Sequence, residues 1–379
     1  MKKGWEVKKL GEICEIERGG SPRPIDSFLT DAPDGINWIK IGDTKNITKY
    51  ITRTAAKIRH EGAKRSRMVY EGDFILSNSM SFGRPYIMKT TGCIHDGWLV
   101  LRQPKVDQDY LYHVLSSDLV FSQFDRLAAG STVRNLNIGL VKGVQIPVPP
   151  LPEQQRIVAI LGEAFAAIAT AKENAAKNLQ NAREFFESYL QSVFANPGDG
   201  WEVKKLEEVC ENLDSKRVPV TKRDRTEGQY PYYGASGIVD YVNRYIFDED
   251  LLLVSEDGAN LLARTYPIAF SISGKAWVNN HAHVLRFNNI SSQIFIEYYL
   301  NSIKLDDYVS GMAQPKLNQT MLNSIEVPFP LLPEQLAIVA KLDALSAETK
   351  KLEAIYRQKL ADLDELKKSV LKKAFDGEL

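Results

Sequence analysis

Two long stretches with helical periodicity constrain this chain more than any other feature. They run from Pro152 to Phe194 and from Pro333 to Phe375, and each has a stripe of mainly apolar residues spaced by three or four, with one lapse, at Asn178 and at Lys359. An average spacing near 3.5 residues, with charge on the other faces, is typical of a coiled coil. The apolar positions that we expect to face a partner helix include Ile157, Leu161, Ile168, Phe185, Leu342, Leu345, Leu352 and Leu363. Each helix therefore needs a partner along its length.

The order of the segments indicates which partner each helix has. The first helix leads into the segment after Asn196, and the second helix leaves that segment at Pro333. If the helices pack on each other, they are antiparallel, and two globular segments lie at opposite ends of a rod about 60 Å long. The alternative, in which each helix packs only on its own domain, is disfavoured by amphipathic runs beyond about 25 residues. The predicted boundaries are a first recognition domain at 1–151, a first spacer helix at 152–196, a second recognition domain at 197–332 and a second spacer helix at 333–379.

An internal repeat surrounds both globular segments. The opening Gly4–Leu10 returns as Gly200–Leu206, and the proline-rich joint Ile146–Gln154 returns as Val327–Gln335. The first pair is 196 positions apart and the second pair 181, so the first globular segment is longer. The repeated opening and joint therefore enclose two globular segments of unlike sequence. We interpret these segments as two domains that recognise different targets and are held in the same way.

The interiors have the alternation and turn residues of mixed α/β domains. Each half opens with a short helical pattern, and short helices are predicted at Gln108–Ser116 and Ser292–Ser302. The strand candidates are Asn37–Ile41, Asp73–Leu76, Trp98–Arg102, Leu251–Val254 and His283–Phe287. The predicted fold class is α+β, with two mixed α/β domains joined by two long helices in an antiparallel coiled coil and related by a pseudo-two-fold repeat.

Composition excludes several classes of protein. The 379 residues carry 48 Lys and Arg and 48 Asp and Glu, so the net charge is zero and does not itself favour nucleic acid. Three cysteines indicate no disulfide framework. No apolar run reaches the length of a membrane span, and the first residues do not form a signal peptide. We therefore expect a cytoplasmic protein.

Catalytic signatures are absent from the sequence. It has no phosphate-binding loop, no dinucleotide-binding glycine motif, no zinc-protease motif and no paired C-x-x-C. His281 and His283 would share one face of a strand, but a third metal ligand is not nearby, so packing or hydrogen bonding is the default interpretation. The sequence predicts no catalytic residue and no metal site.

Basic clusters inside each globular segment are the remaining functional signal. One spans Arg53 to Arg67 with a single acid, and the other spans Lys216 to Arg225 with a single acid. Such runs are usually solvated surface, yet one cluster in each half favours contact with phosphates. Polar groups nearby suit base edges or backbone. The candidate DNA-binding residues are Arg59, Lys64, Arg65, Arg67, Asn78, Ser79, Arg84, Lys216, Arg217, Lys222, Arg223, Tyr233, Ser236 and Asn260.

The chain resembles the DNA-specificity subunit of Type I restriction-modification enzymes in three features. These are the duplicated Trp-Glu-x-x-x-Leu opening, the Ile-Pro-x-Pro-Pro-Leu-Pro-Glu-Gln joint with its second copy, and the long helix after each joint. The resemblance spans essentially the whole chain. It implies that each globular unit is a target recognition domain that reads one half of a split DNA site. It also implies two modification subunits, with S-adenosylmethionine for adenine methylation, and restriction subunits that use ATP and magnesium. The chain itself is expected to bind no cofactor.

The function expected from the sequence is noncatalytic reading of a bipartite, asymmetric double-stranded DNA target. Partner subunits would then methylate adenine and cleave DNA, and part of the modification subunit would dock on the helices. One alternative is a coiled-coil scaffold that joins two protein-binding domains and never contacts DNA, for which the zero net charge is the best support. A self-contained nuclease is disfavoured because catalytic motifs are missing.

Overall fold

The protein is described by a computed structural model that covers residues 2–78, 82–128, 135–311 and 314–379. The chain forms two compact units, unit 1 from Met1–Ala175 with Gln358–Leu379 and unit 2 from Ala176–Arg357. Each unit therefore combines one globular segment with portions of both long helices. None of the helices within the described ranges is long and apolar enough to cross a membrane.

Unit 1 begins with a strand rather than with the short helix that the sequence pattern predicts, and a single helical turn follows it. Val7 lies in that strand, which pairs antiparallel with the proline-rich joint so that Val7 is opposite Pro147. The elements up to the first long helix are β1 (Glu6–Lys9), α1 (Leu10–Ile13), β2 (Glu15–Arg18), β3 (Leu29–Thr30), β4 (Ile36–Ile39), β5 (Tyr50–Ile51), β6 (Ala56–Ile58), α2 (His60–Ala63), β7 (Arg67–Val69), β8 (Phe74–Ser77), β9 (Pro85–Met88), β10 (Gly92–Ile94), β11 (Trp98–Arg102), α3 (Gln108–Leu115), α4 (Asp118–Ala128), α5 (Ile138–Gly143), β12 (Gln145–Val148) and α6 (Leu151–Ala195).

Unit 2 repeats this order with fewer elements. Its first strand pairs with the second joint in the same register, with Val203 opposite Pro328. The elements are β13 (Glu202–Lys205), α7 (Leu206–Val209), β14 (Glu211–Asn212), β15 (Glu227–Gly234), β16 (Gly237–Val242), β17 (Phe247–Asp248), β18 (Leu251–Ser255), α8 (Asn260–Ala263), β19 (Ala269–Ile272), β20 (Lys275–Val278), β21 (Ala282–Arg286), α9 (Ile290–Ser302), α10 (Gln319–Asn323), β22 (Glu326–Phe329) and α11 (Leu332–Asp376). The predicted strands and the short helices α3 and α9 are confirmed, with ends that shift by one or two residues.

The two interiors share one sheet topology although their sequences differ. One sheet has the order β2-β11-β8-β9-β5 in unit 1 and β14-β21-β18-β19 in unit 2. The other has the order β3-β6-β4-β10-β7 in unit 1 and β16-β15-β20-β17 in unit 2, and its only parallel pairs are β4 with β10 and β15 with β20 among the residues described. Strands β3 and β5 are additions in unit 1. The repeat therefore extends through the interiors, which sequence alone made look unrelated.

Alternating apolar residues give each unit two cores. In β18, Leu252 and Val254 pack toward the helices, whereas Leu251 and Leu253 pack between the two sheets. This period of two is what a strand buried on both faces requires. Each unit is therefore built in three layers, with helices on one side of a pair of sheets.

The two long helices run antiparallel within each unit. In unit 1, Lys172 pairs with Asp364 at 2.7 Å, and Arg156 donates to the carbonyl oxygen of Leu379 at 2.6 Å. In unit 2, Arg183 pairs with Glu353 at 3.1 Å. Higher numbers on α6 thus meet lower numbers on α11, so the predicted antiparallel coiled coil is confirmed.

Burial along the helices agrees with the predicted apolar stripe only in part. The fully or nearly buried positions are Ile157, Leu161, Ile168 and Leu342. Leu345 and Leu363 are half-buried. Phe185 and Leu352 are instead 62% and 40% exposed. The expectation that these two side chains pack against the other helix is wrong, and they leave apolar surface on unit 2.

The proline-rich joint fixes the start of each long helix. Buried Gln154 donates to the carbonyl oxygen of Pro149 at 2.8 Å and accepts from the amide of Asp107 at 2.7 Å. Gln335 repeats the first bond with Pro330 at 2.7 Å, and accepts from the hydroxyl of Ser292. These bonds satisfy polar groups at a buried helix start, which is a physical reason for the repeated Pro-Glu-Gln.

Candidate nucleic-acid interface

Several loops of unit 2 converge at one edge of its paired sheets. The amide of Glu256, just after β18, donates to the carbonyl of His281 at 2.9 Å, and the amide of Leu317 donates to the carbonyl of Glu256 at 2.8 Å. Ser255 joins the β15–β16 turn to this group through the carbonyl of Ala235, at 2.6 Å. We call this convergence the loop edge of unit 2. It holds loops from distant parts of the chain next to one another.

Unit 1 has the same edge, with the same backbone bonds. The amide of Asn78 donates to the carbonyl of Gly97 at 3.0 Å, and the amide of Leu136 donates to the carbonyl of Asn78 at 2.9 Å. Strand register makes Asn78 the counterpart of Glu256 in unit 2. The loop edge of unit 1 therefore has the same backbone framework with different side chains.

A buried ionic group lies beneath the loop edge of unit 2. His283 is 1% exposed, with Nδ1 at 2.6 Å from Asp214 Oδ2 and Nε2 at 2.8 Å from the carbonyl oxygen of Leu317. Burial favours a higher pKa for Asp214, but hydrogen bonds from His283 and the Val284 amide, with nearby positive charge, lower it overall. The carbonyl oxygen of Leu317 can only accept, so Nε2 of His283 donates to it, while Nδ1 bonds the Asp214 carboxylate.

Two further cations complete this ionic network. Arg217 donates to Glu256 Oε2 at 2.6 Å and lies 3.3 Å from Asp214 Oδ2, while Lys316 Nζ lies 3.1 Å from Glu256 Oε1. Burial favours a higher pKa for Glu256, yet the hydrogen bond from Arg217 and the other cations lower it overall. Arg217 was predicted to contact DNA. Its side chain is 13% exposed and donates to Glu256 and to the carbonyl oxygens of Asp214 and Ala282, which argues against contact with DNA.

Hydrogen bonds and ion pairs occupy the potential metal ligands of this network. Ligand atoms of Asp214, Glu256 and His283 lie within 4.8 Å of one another, a spacing that a metal ion also requires. Both nitrogens of His283 are engaged in hydrogen bonds, and Arg217 and Lys316 pair with the carboxylates. Hydrogen bonding, the default predicted for this histidine, is confirmed.

Three other candidate residues serve the fold or lie outside the described part of the chain. Asn78 is 1% exposed and donates to the carbonyl of Asp96 at 2.8 Å. Asn260 is 9% exposed, and its Oδ1 accepts from the amide and hydroxyl of Thr265. Burial and these internal hydrogen bonds argue against DNA contact by Asn78 and Asn260. Ser79 lies outside the described residues.

The remaining basic candidates are exposed. Arg59, Lys64 and Arg65 surround α2, where Arg65 also lies over the ring of Phe28 at 5.4 Å. Arg67 is exposed but pairs with Glu17 at 3.3 Å. The other exposed basic candidates are Arg84, Lys216, Lys222 and Arg223. These side chains are accessible to phosphates.

Two polar candidates lie near the β15–β16 turn of unit 2. Ser236 is exposed at the turn, and its hydroxyl bonds that of Tyr266 at 2.9 Å. Tyr233 is half-buried against the ring of Phe270, and burial raises its pKa. Ser236 therefore belongs to the loop edge, whereas Tyr233 mainly supports it.

The turns that precede β11 and β21 were not predicted to contact DNA, and His281 was considered as a metal ligand on a strand, whereas it lies in the turn before β21. Asp96 is half-exposed in the first of these turns, and His281 is half-exposed in the second. The signal was weak, because a short polar turn between two strands is common. The two turns are recognised as equivalent only because the two globular segments have the same sheet topology.

Comparisons with known proteins agree with this architecture. The family described as the Type I restriction modification DNA specificity domain matches residues 2–178 and 198–360, which is most of the chain. A putative type I restriction enzyme specificity subunit of Haemophilus influenzae is 33% identical, over 51% of this chain and 52% of that protein, about half the length of each. The MjaIX specificity subunit of Methanocaldococcus jannaschii is 22% identical over 100% of this chain and 94% of that protein.

Solved structures show the same fold. A chain from a study of assembly and conformational transition of the type I R-M system has a TM-score of 0.81 at 20% identity, covering 100% of this chain and 99% of that chain. The HsdS subunit of Thermoanaerobacter tengcongensis has a TM-score of 0.65 at 21% identity, covering 100% and 98%. With the duplicated frame and the two matched domains, these findings lead to one assignment. The chain belongs to the family of DNA-specificity subunits of type I restriction-modification enzymes.

Proposed function

We propose that this chain reads a bipartite, asymmetric DNA target, with one recognition domain for each half-site. The observation that carries the proposal is the duplicated two-sheet frame, which places corresponding loops at corresponding edges and gives them different side chains. A shared frame explains how two domains engage DNA in the same manner. Different side chains at the edges explain why the two half-sites differ.

The chemistry on DNA belongs to partner subunits in this proposal. Two modification subunits would supply adenine methylation with S-adenosylmethionine, and restriction subunits would cleave DNA with ATP and magnesium. The specificity subunit itself would be noncatalytic, bind no cofactor and act in the cytoplasm. Its role is to set where the partners act.

Exposed apolar residues on the long helices support docking of a modification subunit there. In unit 2, Phe185 is 62% exposed, Ile355 is 51% exposed and Leu336 is 50% exposed. In unit 1, Leu366 on α11 is 48% exposed. Large apolar side chains on a helix with charged neighbours favour a protein partner over bare solvent.

The salt dependence of DNA binding tests the proposed DNA contact. Each phosphate contact with duplex DNA contributes about 0.9 to the slope of log affinity against log salt. We expect the purified full chain to bind a duplex with a steep slope, and the double variant Lys222→Ala/Arg223→Ala to reduce that slope by about 2. Titration of a labelled duplex at several salt concentrations measures both.

The matched control is Lys351→Ala, which removes an exposed lysine from α11, far in sequence from both basic clusters. We expect that variant to keep the full slope. A flat salt response of the unmodified chain would contradict DNA binding and favour the protein scaffold. A steep slope that the double variant leaves unchanged would place the phosphate contacts elsewhere.

A further inference from the structure

The turns that precede β11 and β21 occupy corresponding places in the two units. His95–Gly97 leads into β11, and Asn279–His281 leads into β21. Each turn offers its last carbonyl to the residue that follows the neighbouring strand, Asn78 in unit 1 and Glu256 in unit 2. Backbone bonds therefore hold the two turns in the same way, whatever side chains they carry.

The turn of unit 1 has little room to change. The amide of Gly97 donates to His95 Nδ1 at 2.8 Å, and a Cβ added at Gly97 would lie 2.2 Å from the His95 ring. Asn78 fixes the middle of the turn through the carbonyl of Asp96, at 2.8 Å. The Asp96 side chain is consequently carried on a rigid support, as a group that reads a base must be.

Asp96 presents an acceptor beside a donor. Its side chain is 46% exposed, Oδ1 accepts from the hydroxyl of Ser21 at 2.6 Å, and Oδ2 lies 3.6 Å from the Arg23 guanidinium, which is 82% exposed. The hydrogen bond from Ser21 is the main cause of a lowered pKa for Asp96, so the carboxylate is ionised. Both residues line an open pocket of about 650 Å³, together with Lys40 and buried Trp38.

This pair matches the pattern of a C·G base pair in the major groove. A carboxylate accepts from the cytosine N4 amino group, and an arginine donates to guanine O6 and N7. Asp96 and Arg23 offer these two groups side by side on the loop edge of unit 1.

The turn of unit 2 offers a different group one position further along, since strand register makes His281 the counterpart of Gly97. His281 is 50% exposed, and its Nδ1 lies 2.8 Å from Oδ2 of Asp257, whose side chain is 19% exposed. Asp257 thereby sets the orientation of the ring, and Nε2 has no hydrogen-bond partner among the residues that the structure describes. An oriented imidazole with one ring nitrogen toward solvent is suited to the edge of a single base.

We propose that these two turns determine base specificity, with Asp96 and Arg23 reading a C·G pair in one half-site and His281 reading one base pair in the other. The inference rests on the proposed function and adds to it the residues that distinguish the half-sites. Because backbone atoms hold both turns, changes to these side chains leave the fold intact.

Methylation motifs of variant cells test this proposal. The full chain is produced with its partner subunits, and methylated adenines are mapped across the genome for wild type, Asp96→Ala and His281→Ala. We expect Asp96→Ala to lose about tenfold to hundredfold discrimination at one base pair of one half-site only. His281→Ala should have the same effect on the other half-site only, so that each variant serves as the internal control for the other.

Control and conservative variants distinguish reading from stability. His60→Ala and Asp34→Ala remove exposed side chains of the same types that belong to neither turn, and both should leave the motif unchanged. Asp96→Asn and His281→Gln keep size and polarity, and should alter the preferred base at the same position as the alanine variants. These conservative variants keep the test valid even where an alanine variant folds poorly.

Three results would overturn the proposal. In the first, the motif stays the same in all four turn variants. In the second, methylation falls equally at every site with no change in base preference, which indicates support of the fold. In the third, wild-type cells carry no bipartite methylated motif, which shows that the proposed function itself has failed, whereas the first two results leave that function standing.

Discussion

Asp214→Ala is expected to destabilise unit 2 by about 3–5 kcal/mol, the usual cost of removing one partner from a buried ion pair. The carboxylate is buried and accepts from His283 at 2.6 Å and from the Val284 amide at 2.9 Å. Its removal leaves Arg217 and the ring of His283 without one of their buried acceptors, with Glu256 as the acid that remains. Hydrogen–deuterium exchange of the β18 and β21 amides measures the loss within unit 2.

The unit 1 strands β8 and β11 provide an internal control for that measurement, since their exchange should not change. A surface control is Glu348→Ala, which removes the ion pair with Lys351, 3.8 Å long, whose side chains are 67% and 68% exposed. This variant should have no measurable effect on the exchange. Unchanged exchange of β18 and β21 in Asp214→Ala would show that the ionic network does not stabilise unit 2.

The effect of Asp214→Ala should depend on pH in a defined direction. The pKa values of Asp214 and Glu256 are both lowered in the folded chain, although burial by itself would raise them. The hydrogen bond with His283 lowers the pKa of Asp214, and the hydrogen bond from Arg217 lowers that of Glu256. A carboxyl group whose pKa is lowered on folding stabilises the folded state at pH values above its pKa in the unfolded chain, which is about 3.9 for Asp. This stabilisation is lost as the pH falls through the pKa of the folded chain. The difference in free energy of unfolding between wild type and Asp214→Ala should therefore become smaller below about pH 4.

Adding seven residues to both long helices should lengthen the gap between the half-sites by about three base pairs. Seven residues of helix rise about 10 Å and keep an apolar stripe of 3.5-residue spacing in phase. The cross-helix pairs Lys172–Asp364 and Arg183–Glu353 give the register, so insertion after Lys177 and after Gln358 falls at matched levels. The methylated motif of cells that carry the doubly inserted chain measures the new gap.

Insertion into α6 alone is the control for this experiment. It shifts one helix by a heptad against the other, and we expect methylation to fall at all sites without a defined new gap. A doubly inserted chain that methylates the original motif would refute the role of the helices as a spacer.

The frame of the fold could be predicted because its determinants are local. The spacing of Ile157, Leu161 and Leu342 identified the helices, and the proline-rich joints identified where they begin. The joint motif is also explained by short-range bonds, such as that of Gln154 with Pro149. Such patterns appear within a few residues of sequence.

The shared topology of the two interiors could not be predicted in the same way. A strand such as β10 pairs in parallel with β4, more than fifty residues before it, and many apolar sequences satisfy that pairing. In unit 2 the corresponding pair is β15 with β20. Both units have the same topology although few of their residues match. Strand packing restricts the polarity and size of each side chain more than it restricts which amino acid is present.

The candidate site could be predicted only where exposure follows from sequence. Exposed Lys222 and Arg223 lie in a surface turn with basic neighbours, as expected. Arg217, five residues earlier, looks the same in sequence, but it turns inward to Glu256, which is distant along the chain. Partners of that kind are set by tertiary contacts, so no local pattern separates a phosphate-binding arginine from a buried one.

Mapping of methylated adenines in cells with and without this gene tests the central claim most directly. The account predicts one motif made of two unlike half-sites at a fixed gap, present only when the gene is present. Methylation that is unaffected by loss of the gene, or that follows one continuous sequence, would contradict a chain that carries two separate readers.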